Sequence, residues 1–246
     1  MGKFIVLCTK CIAVTMLVAL FASCHTRIDL GNGIDGSGNV TKQTRNVDNN
    51  FSKIVVNRGL NVTLEQGDSY WVEVEADDNL QEHITTRVEN GMLTITADDD
   101  INGNATKNIH VRLPSLSAIE VNGGSSVSSK NTLNGTDIVV KTSGGSEAEL
   151  RLEYDKIDCE TTSGSSLNLK GKALELKTAA SSGSSIEARD LLVNDVIAEA
   201  SSGSSTEVHP GISLNAKASS GSSIDYNGSP KTVSKEESSG GSVSKE

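Results

Sequence analysis

A short phrase recurs through the second half of the chain and restricts the fold more than any other feature. It reads Gly124-Ser-Ser-Val127, Gly144-Gly-Ser-Glu147, Gly164-Ser-Ser-Leu167, Gly183-Ser-Ser-Ile186, Gly203-Ser-Ser-Thr206, Gly221-Ser-Ser-Ile224 and Gly240-Gly-Ser-Val243. The glycines lie 20, 20, 19, 20, 18 and 19 residues apart. A fixed period near 20 marks a solenoid, in which one unit cannot bury its own apolar face and neighbours must stack. Ahead of each glycine the apolar positions keep step: Ile157-x-Cys159, Leu176-x-Thr178, Val196-x-Ala198 and Leu214-x-Ala216, followed by Ala180, Ala200 and Ala218. Another set follows the phrase at Leu169, Ala188, Val208 and Tyr226. This is alternation of period two, the strand signal, with no stripe of helical period inside a unit. The repeat therefore predicts coils of short strands, paired in parallel at about 4.8 Å per rung.

Composition fits that reading. Hydrophobic residues make up 35% of the chain and aromatics 3%, well below an ordinary globular domain. A thin core explains this, because Ala, Ser, Thr and Cys159 fit where Leu and Phe would not. Glycine allows the turn geometry, and the flanking serines can bond turn amides or one another. The last unit should cap the stack, since its inward positions become Val233, Lys235 and Glu237. The tail Lys235–Glu246 then reads as a capping or fraying coil.

From Phe51 to Val121 the chain also alternates, in short runs such as Ile54-x-Val56, Leu60-x-Val62-x-Leu64, Trp71-Val72-x-Val74 and Ile109-x-Val111-x-Leu113. One helical turn is expected near Asn79 to Ile84. The predicted class is all-β, a right-handed β-helix or solenoid-like fold. Its organisation reads as a lipoprotein signal peptide at 1–23 and a lipidated cysteine with a polar tether at 24–48. A short-strand β region at 49–121 and the repeat solenoid with its polar cap at 122–246 follow.

The N-terminal segment is an address. Lys3 and Lys10 precede a short apolar run, and Leu20-Phe-Ala-Ser-Cys24 resembles a bacterial lipobox. The run is too short and too poorly flanked for a membrane-spanning helix. Cleavage before Cys24 would leave it as a lipidated N-terminus, anchoring the protein to a membrane. His25, rather than Asp, follows it, which favours the outer membrane. Cys8 and Cys11 fall in the removed segment, so their C-x-x-C spacing carries no zinc or redox chemistry. Only Cys159 then remains besides Cys24. Without Lys3 and Lys10 there are 20 basic and 32 acidic residues, so the charge is about −12. Charge would not draw such a surface to anionic lipid, and its sign disfavours nucleic acid.

No catalytic constellation is legible. Gly31-x-Gly33-x-x-Gly36 matches a dinucleotide fingerprint, but it lies in a polar linker without the strand and helix that the fingerprint needs. Asp98, Asp99 and Asp100, with Asn102 and Asn104, form the one dense group of oxygen ligands. They are metal candidates only, because the loop lacks the glycine and terminal glutamate of a calcium hand; a solvated loop is the preferred reading. His83 and His110 have no partner at ligand spacing. The repeated serines lack a base, since His209 is the only histidine in that half. Arg151, Lys170, Lys172, Lys177 and Arg189 interleave with Glu149, Glu153, Glu175, Glu187 and Asp190, as on a solvated face. No cofactor is implied.

The order of phrases resembles a known group. Arg45-Asn-Val-Asp-Asn-Asn-Phe-Ser-Lys-Ile54 is followed by Gly59-Leu-Asn-Val-Thr-Leu-Glu-Gln-Gly67. Then come Val88-Glu-Asn-Gly-Met-Leu-Thr-Ile95 and Val111-Arg-Leu-Pro-Ser-Leu116, leading into the Gly/Ser repeats. Over residues 45–225 the chain is similar to Bacteroidetes lipoproteins of the auto-transporter adhesin family with a head GIN domain. The resemblance implies a β-solenoid-like fold, an envelope location and a non-enzymatic, adhesin-type role. It carries no catalytic residues. The expected function is binding of a surface, glycan or protein partner through an extended β-face. The alternatives are a polysaccharide lyase or hydrolase, which would need carboxylates and a base in one groove, and a structural or envelope-stress component without a ligand.

Overall fold

The computed structural model describes residues 33–246. The lipobox and Cys24 lie outside the described residues. Nine strands precede the long repeats: β1 (Val40–Thr44), β2 (Lys53–Val56), β3 (Asn61–Gln66), β4 (Trp71–Asp77), β5 (Ile84–Glu89), β6 (Met92–Ala97), β7 (Lys107–Leu113), β8 (Ala118–Val121) and β9 (Ser126–Ser129). Then come β10 (Leu133–Thr142), β11 (Glu147–Thr161), β12 (Ser166–Ala180), β13 (Ser185–Ala200), β14 (Ser205–Ala218), β15 (Ser223–Tyr226), β16 (Thr232–Glu237) and β17 (Ser242–Lys245). The expected helical turn is a single 3-10 turn at Asp78–Leu80.

The coils have two walls. Wall A runs β1-β4-β7-β3-β9-β11-β12-β13-β14-β15-β17, and all pairs from β7 onward are parallel. Wall B runs β5-β6-β2-β8-β10-β11-β12-β13-β14-β16, parallel from β6 onward. Strands β11 to β14 bend from one wall to the other, so each serves both. The parallel ladder crosses residue 121 without a break. The coil β2–β3 is inserted between the coil β6–β7, which follows it in sequence, and the coil β8–β9. Pairing out of sequence order hides this part of the stack from a search for a period.

Inward side chains form columns. One on wall B runs Leu93, Ile54, Ile119, Val140, Cys159, Thr178, Ala198, Ala216. Its neighbour runs Ile95, Val56, Val121, Thr142, Thr161, Ala180, Ala200, Ala218. All sixteen are buried. Both columns shrink along the axis, from branched aliphatics to alanine, while wall A keeps Leu167, Leu169 and Ile186 buried. The expected thin core is therefore local, confined to these two columns of wall B, beside which Ile157, Leu176, Val196 and Leu214 stay buried.

The phrase between the walls is a tight turn. In Thr162-Ser163-Gly164-Ser165, Ser163 and Gly164 have φ of 56° and 71°, and the Ser165 N–H bonds to the Thr162 carbonyl. Two positive φ values in succession define the type I′ bend, for which glycine in the second place is the least strained residue. The first serine after the glycine is buried and points inward. Ser184 Oγ accepts from Ser181 N–H at 3.1 Å and donates to Thr161 O, one coil back, at 2.7 Å. Ser204 and Ser222 repeat the arrangement. The second serine faces out, and Ser185 Oγ donates to Ser166 Oγ at 3.2 Å. One alignment shifts: Glu147 lies opposite Ser126 and Ser166. Gly145, rather than Gly144, therefore matches Gly124 and Gly164, and the first spacings become 21 and 19. Two adjacent glycines had left the frame open by one residue.

Both ends are closed by polar devices. At the C-terminal end Val233, Lys235 and Glu237 stand opposite Leu214, Ala216 and Ala218. Lys235 Nζ donates to Val243 O at 2.9 Å and lies 5.0 Å from the Tyr226 ring. Glu237 Oε1 accepts from Val243 N–H at 2.6 Å. Lys235 to Lys245 is therefore a capping coil of two strands, with charges across the edge that would otherwise accept another strand. At the other end, β1 pairs β4 and β5 pairs β6, both antiparallel. Residues 34–44, read from the sequence as the end of a tether, are docked: Ile34 bridges Ile101, and β1 pairs β4. Buried Asp77 holds them, accepting 2.8 Å bonds from the N–H groups of Gly38 and Thr106. Asp78, Asn79 and Gln81 add further bonds to Ser37, Asn39, Asp35 and Thr41; all are distant in sequence, so the local polar composition gave no sign of the docking.

Candidate functional site

The residues singled out in the sequence do not converge. Asp99 lies 3.2 Å from His83 Nδ1 and Asp100 3.6 Å from Arg58; both carboxylates are exposed. Among the described residues no three His, Cys, Asp or Glu side chains are arranged to hold a metal ion. The interleaved charges of 149–190 pair between coils: Lys170 Nζ lies 2.8 Å from Glu149, and Arg189 Nε lies 3.1 Å from Glu207. The ammonium of Lys170 holds the Glu149 carboxyl below its usual range. Glu175 stands beside Lys156 and Lys177 on the other wall. Glu149, so paired, lacks the raised proton affinity of a general acid. Cys159 is buried, and burial pushes its thiol well above the ordinary range, so it is a core residue without nucleophilic character.

What the fold does build is a continuous outer surface. Wall A is eleven strands wide, about 48 Å at 4.8 Å per rung. Its outward side chains lie in rows along the axis. One runs Glu75, Asn108, Asn61, Ser126, Glu147, Ser166, Ser185, Ser205, Ser223, Ser242. The next runs Glu73, His110, Thr63, Ser128, Glu149, Asn168, Glu187, Glu207, Asp225. Almost every position carries a hydrogen-bonding group, repeated at the spacing of the rungs. The junction of the walls differs. There Leu174, Leu192 and Ile212 are exposed, and a shallow groove of about 510 Å³ runs past Tyr154, Leu174, Leu192 and His209.

The N-terminal end of wall A is the most elaborated part of the surface. Trp71, the only tryptophan, faces outward and is half-buried. It stands opposite Arg112, which stands opposite Glu65. The Arg112 guanidinium lies 5.7 Å from the indole centroid, and its Nη2 is 3.2 Å from both Glu65 oxygens. Lys130 Nζ donates to Glu65 at 3.0 Å. His110 Nε2 is 3.3 Å from Glu75, and Lys42 is 3.6 Å from Glu73 and 3.5 Å from Glu75. The bonds from Lys130 and then Arg112 hold the Glu65 carboxyl low, and His110, then Lys42, do the same for Glu75. These groups flank a depression of about 230 Å³. Exposed pairs of this kind add little stability; their effect is to fix the positions of donors and acceptors. Sequence reading missed the cluster, because Glu65, Trp71, Arg112 and Lys130 meet only through pairing of β4, β7, β3 and β9. The available signal was the outward phase of each strand, with Trp71 beside the inward Val72.

Comparison with known proteins agrees with this architecture. A structure from Bacteroides fragilis NCTC 9343, described as a putative adhesin, superposes with a TM-score of 0.81 at 21% identity, covering 87% of this chain and 100% of the other. A putative adhesin from Parabacteroides distasonis ATCC 8503 gives 0.71 at 24%, covering 87% and 100%. A protein of the same strain described as a putative lipid binding protein gives 0.70 at 19%, covering 87% and 99%. At such identities the likeness shows the fold. No curated protein matches. The family model described as putative auto-transporter adhesin, head GIN domain matches residues 50–230, and the chain belongs to that family.

Proposed function

We propose that this is a non-enzymatic, lipid-anchored protein of the bacterial cell envelope that binds a surface ligand, glycan or protein through wall A. The observation that carries the reading is the unbroken outer face of that wall, whose polar side chains repeat at the rung spacing. A repeating face suits a repeating ligand. Family membership supports an adhesin-like role at the envelope. Attachment is assigned to lipid on Cys24, on the strength of the lipobox-like run Leu20-Phe-Ala-Ser-Cys24. Several acyl chains hold where one does not, and the outer membrane is the assigned location. The lyase alternative loses ground because Glu149 is bound to Lys170 and Glu175 lies on the other wall, so its carboxylates do not share one groove.

The test is binding of the detergent-solubilised full chain to arrays of host and bacterial glycans and matrix proteins. Arginine at Ser166, Ser185 and Ser205 should weaken binding about tenfold or more, by crowding the ligand face. The same number of changes on wall B, at Lys177, Asn215 and Ser234, should leave it unaltered. Binding that follows wall B instead would overturn the assignment, and binding to nothing would favour the ligand-free structural role. Cys24→Ala should remove the protein from the membrane fraction; retention there would refute the lipid anchor.

A further inference from the structure

We infer that the cluster around Trp71 at the N-terminal end of wall A is a subsite for an uncharged pyranose unit of a polysaccharide. The inference rests on the adhesin reading and names the ligand chemistry of one part of its face. Three observations carry it.

The first is charge balance. The chain as a whole has a net charge of −10. In this cluster, however, Lys42, Arg112 and Lys130 offset Glu65, Glu73 and Glu75 through the pairs already described. A site for an anion or cation would leave a charge uncompensated at its centre. This one leaves none, so it offers an ionic ligand no net attraction.

The second is hydrogen-bonding capacity held in place. Glu65 is fixed by two cations and still has lone pairs facing solvent. Arg112 uses one nitrogen on Glu65, and a guanidinium has five N–H donors. Thr63 and His110, paired in register, add a hydroxyl and an imidazole beside them. Sugar hydroxyls both donate and accept. They are matched by carboxylates and guanidinium groups that need no reorganisation on binding, since little entropy remains to be lost.

The third is the indole. Trp71 is partly exposed on a surface where nearly every other outward residue is polar, and Arg112 braces it. The axial C–H face of a pyranose is apolar and can lie on an aromatic ring, while its equatorial hydroxyls reach outward to the charged pairs. The serine and asparagine rows leading away along wall A would then carry the rest of the polymer.

Because Trp71 is the chain's only tryptophan, its fluorescence reads the site directly. The full chain in detergent is titrated with hexaoses of the cellulose, xylan, mannan and β-1,3-glucan series. A heparin hexasaccharide and an oligogalacturonate serve as charged probes. The expected result is a saturable change in Trp71 emission with at least one neutral series, unaltered by added salt. Trp71→Ala, followed by calorimetry, should weaken that binding about tenfold or more, as loss of a central aromatic contact does. Trp71→Phe should restore most of it. Thr63→Gln, which fills the depression from an outward position, gives a second reading if Trp71→Ala does not fold.

The inference fails if no neutral series perturbs Trp71, if only the charged probes do, or if array binding survives both Trp71→Ala and Thr63→Gln. Survival would leave the adhesin reading standing with its ligand elsewhere on wall A. Absence of array binding by the unaltered chain would remove both.

Discussion

The first coils and the later ones stack in one ladder, yet their folds are specified by different means. Around β2, β6 and β8 the wall B columns are filled by Leu93, Ile54 and Ile119, and by Ile95, Val56 and Val121. Their strands pair out of sequence order beneath antiparallel β1 and β5. From β11 to β14 the same two columns hold Cys159, Thr178, Ala198 and Ala216, and Thr161, Ala180, Ala200 and Ala218. Here the turns, each with its two positive φ values and its buried serine, repeat with little change. Side-chain volume sets the register where apolar bulk is plentiful. Backbone geometry sets it where bulk is scarce. In these two columns large side chains are needed only at the end that is closed by irregular pairing.

If the later coils depend on backbone geometry, their most sensitive position should be a glycine without room for a side chain. Gly171 has a φ of 123°, and a Cβ there would lie 2.1 Å from the Leu152 carbonyl oxygen. Gly171→Ala should cost about 4 kcal/mol or more, through strain that only the backbone can relieve. Gly164 has a φ of 71° with nothing within 4 Å of a Cβ. Gly164→Ala should cost only about 1–2 kcal/mol, the penalty for a left-handed alanine. Urea unfolding midpoints measure both. Equal losses would show that the turns, and not the bend at Gly171, limit the later coils.

One column allows the two regimes to be compared directly. Ile119→Ala empties a fully packed site near the N-terminal end and should cost about 2–5 kcal/mol. Ala198→Ile, further along the same column, forces three carbons into a site that is 0% exposed and should cost about 1–3 kcal/mol. Hydrogen exchange should localise the first loss to β2, β6 and β8 and the second to β12, β13 and β14. A stabilising Ala198→Ile would mean that the narrow columns enclose unused space.

These columns also mark what could be read from sequence. Ile157, Cys159, Leu176, Thr178, Val196, Ala198, Leu214 and Ala216 were legible as inward residues, because alternation is local and the glycine fixes its phase. The buried serine was visible as a turn residue, but its bond to the preceding coil was not, since the acceptor lies about twenty residues away. The insertion of β2–β3 between β6–β7 and β8–β9 leaves no periodic trace. The docking of residues 34–44 depends on Asp77, more than thirty residues on. The Trp71 cluster was hidden for the same reason: its members are neighbours only across strands. Period and turn chemistry can be read from local sequence. Strand order, and any site that depends on it, requires the fold.

The turn serines test how far polar bonds replace bulk. Ser184 Oγ is buried and serves two backbone groups, accepting from Ser181 N–H and donating to Thr161 O. Ser181 N–H also donates directly to Thr161 O at 3.0 Å, so Ser184→Ala leaves neither group unmet and should cost only the net worth of a hydrogen bond, about 0.5–1.5 kcal/mol. The midpoint should fall accordingly, while the Ser181 amide, still bonded to Thr161 O, should keep its exchange protection. An unchanged midpoint would mean that the direct bond between Ser181 and Thr161 satisfies both groups, and that the serine is retained for its size alone.

The smallest expected effect has the opposite sign. Thr178 is 0% exposed, and its Oγ1, like those of Thr142, Thr161 and Thr206, has no hydrogen-bond partner. It stands between Cys159 and Ala198 in the shrinking column. A buried hydroxyl without a partner costs free energy that a methyl group of nearly the same shape does not. Thr178→Val should therefore stabilise the protein, by about 1 kcal/mol, where Ser184→Ala destabilises it. The two substitutions remove the same chemical group from positions within six residues of each other. Opposite shifts in the urea midpoint would show that serine at the turn is kept for its bonds and threonine in the column for its volume. A loss of stability in Thr178→Val would mean that the threonine hydroxyl does find a partner. The later coils would then be held by polar contacts within the core as well as at the turns, and the contrast with the apolar N-terminal coils would be larger than the packing alone suggests.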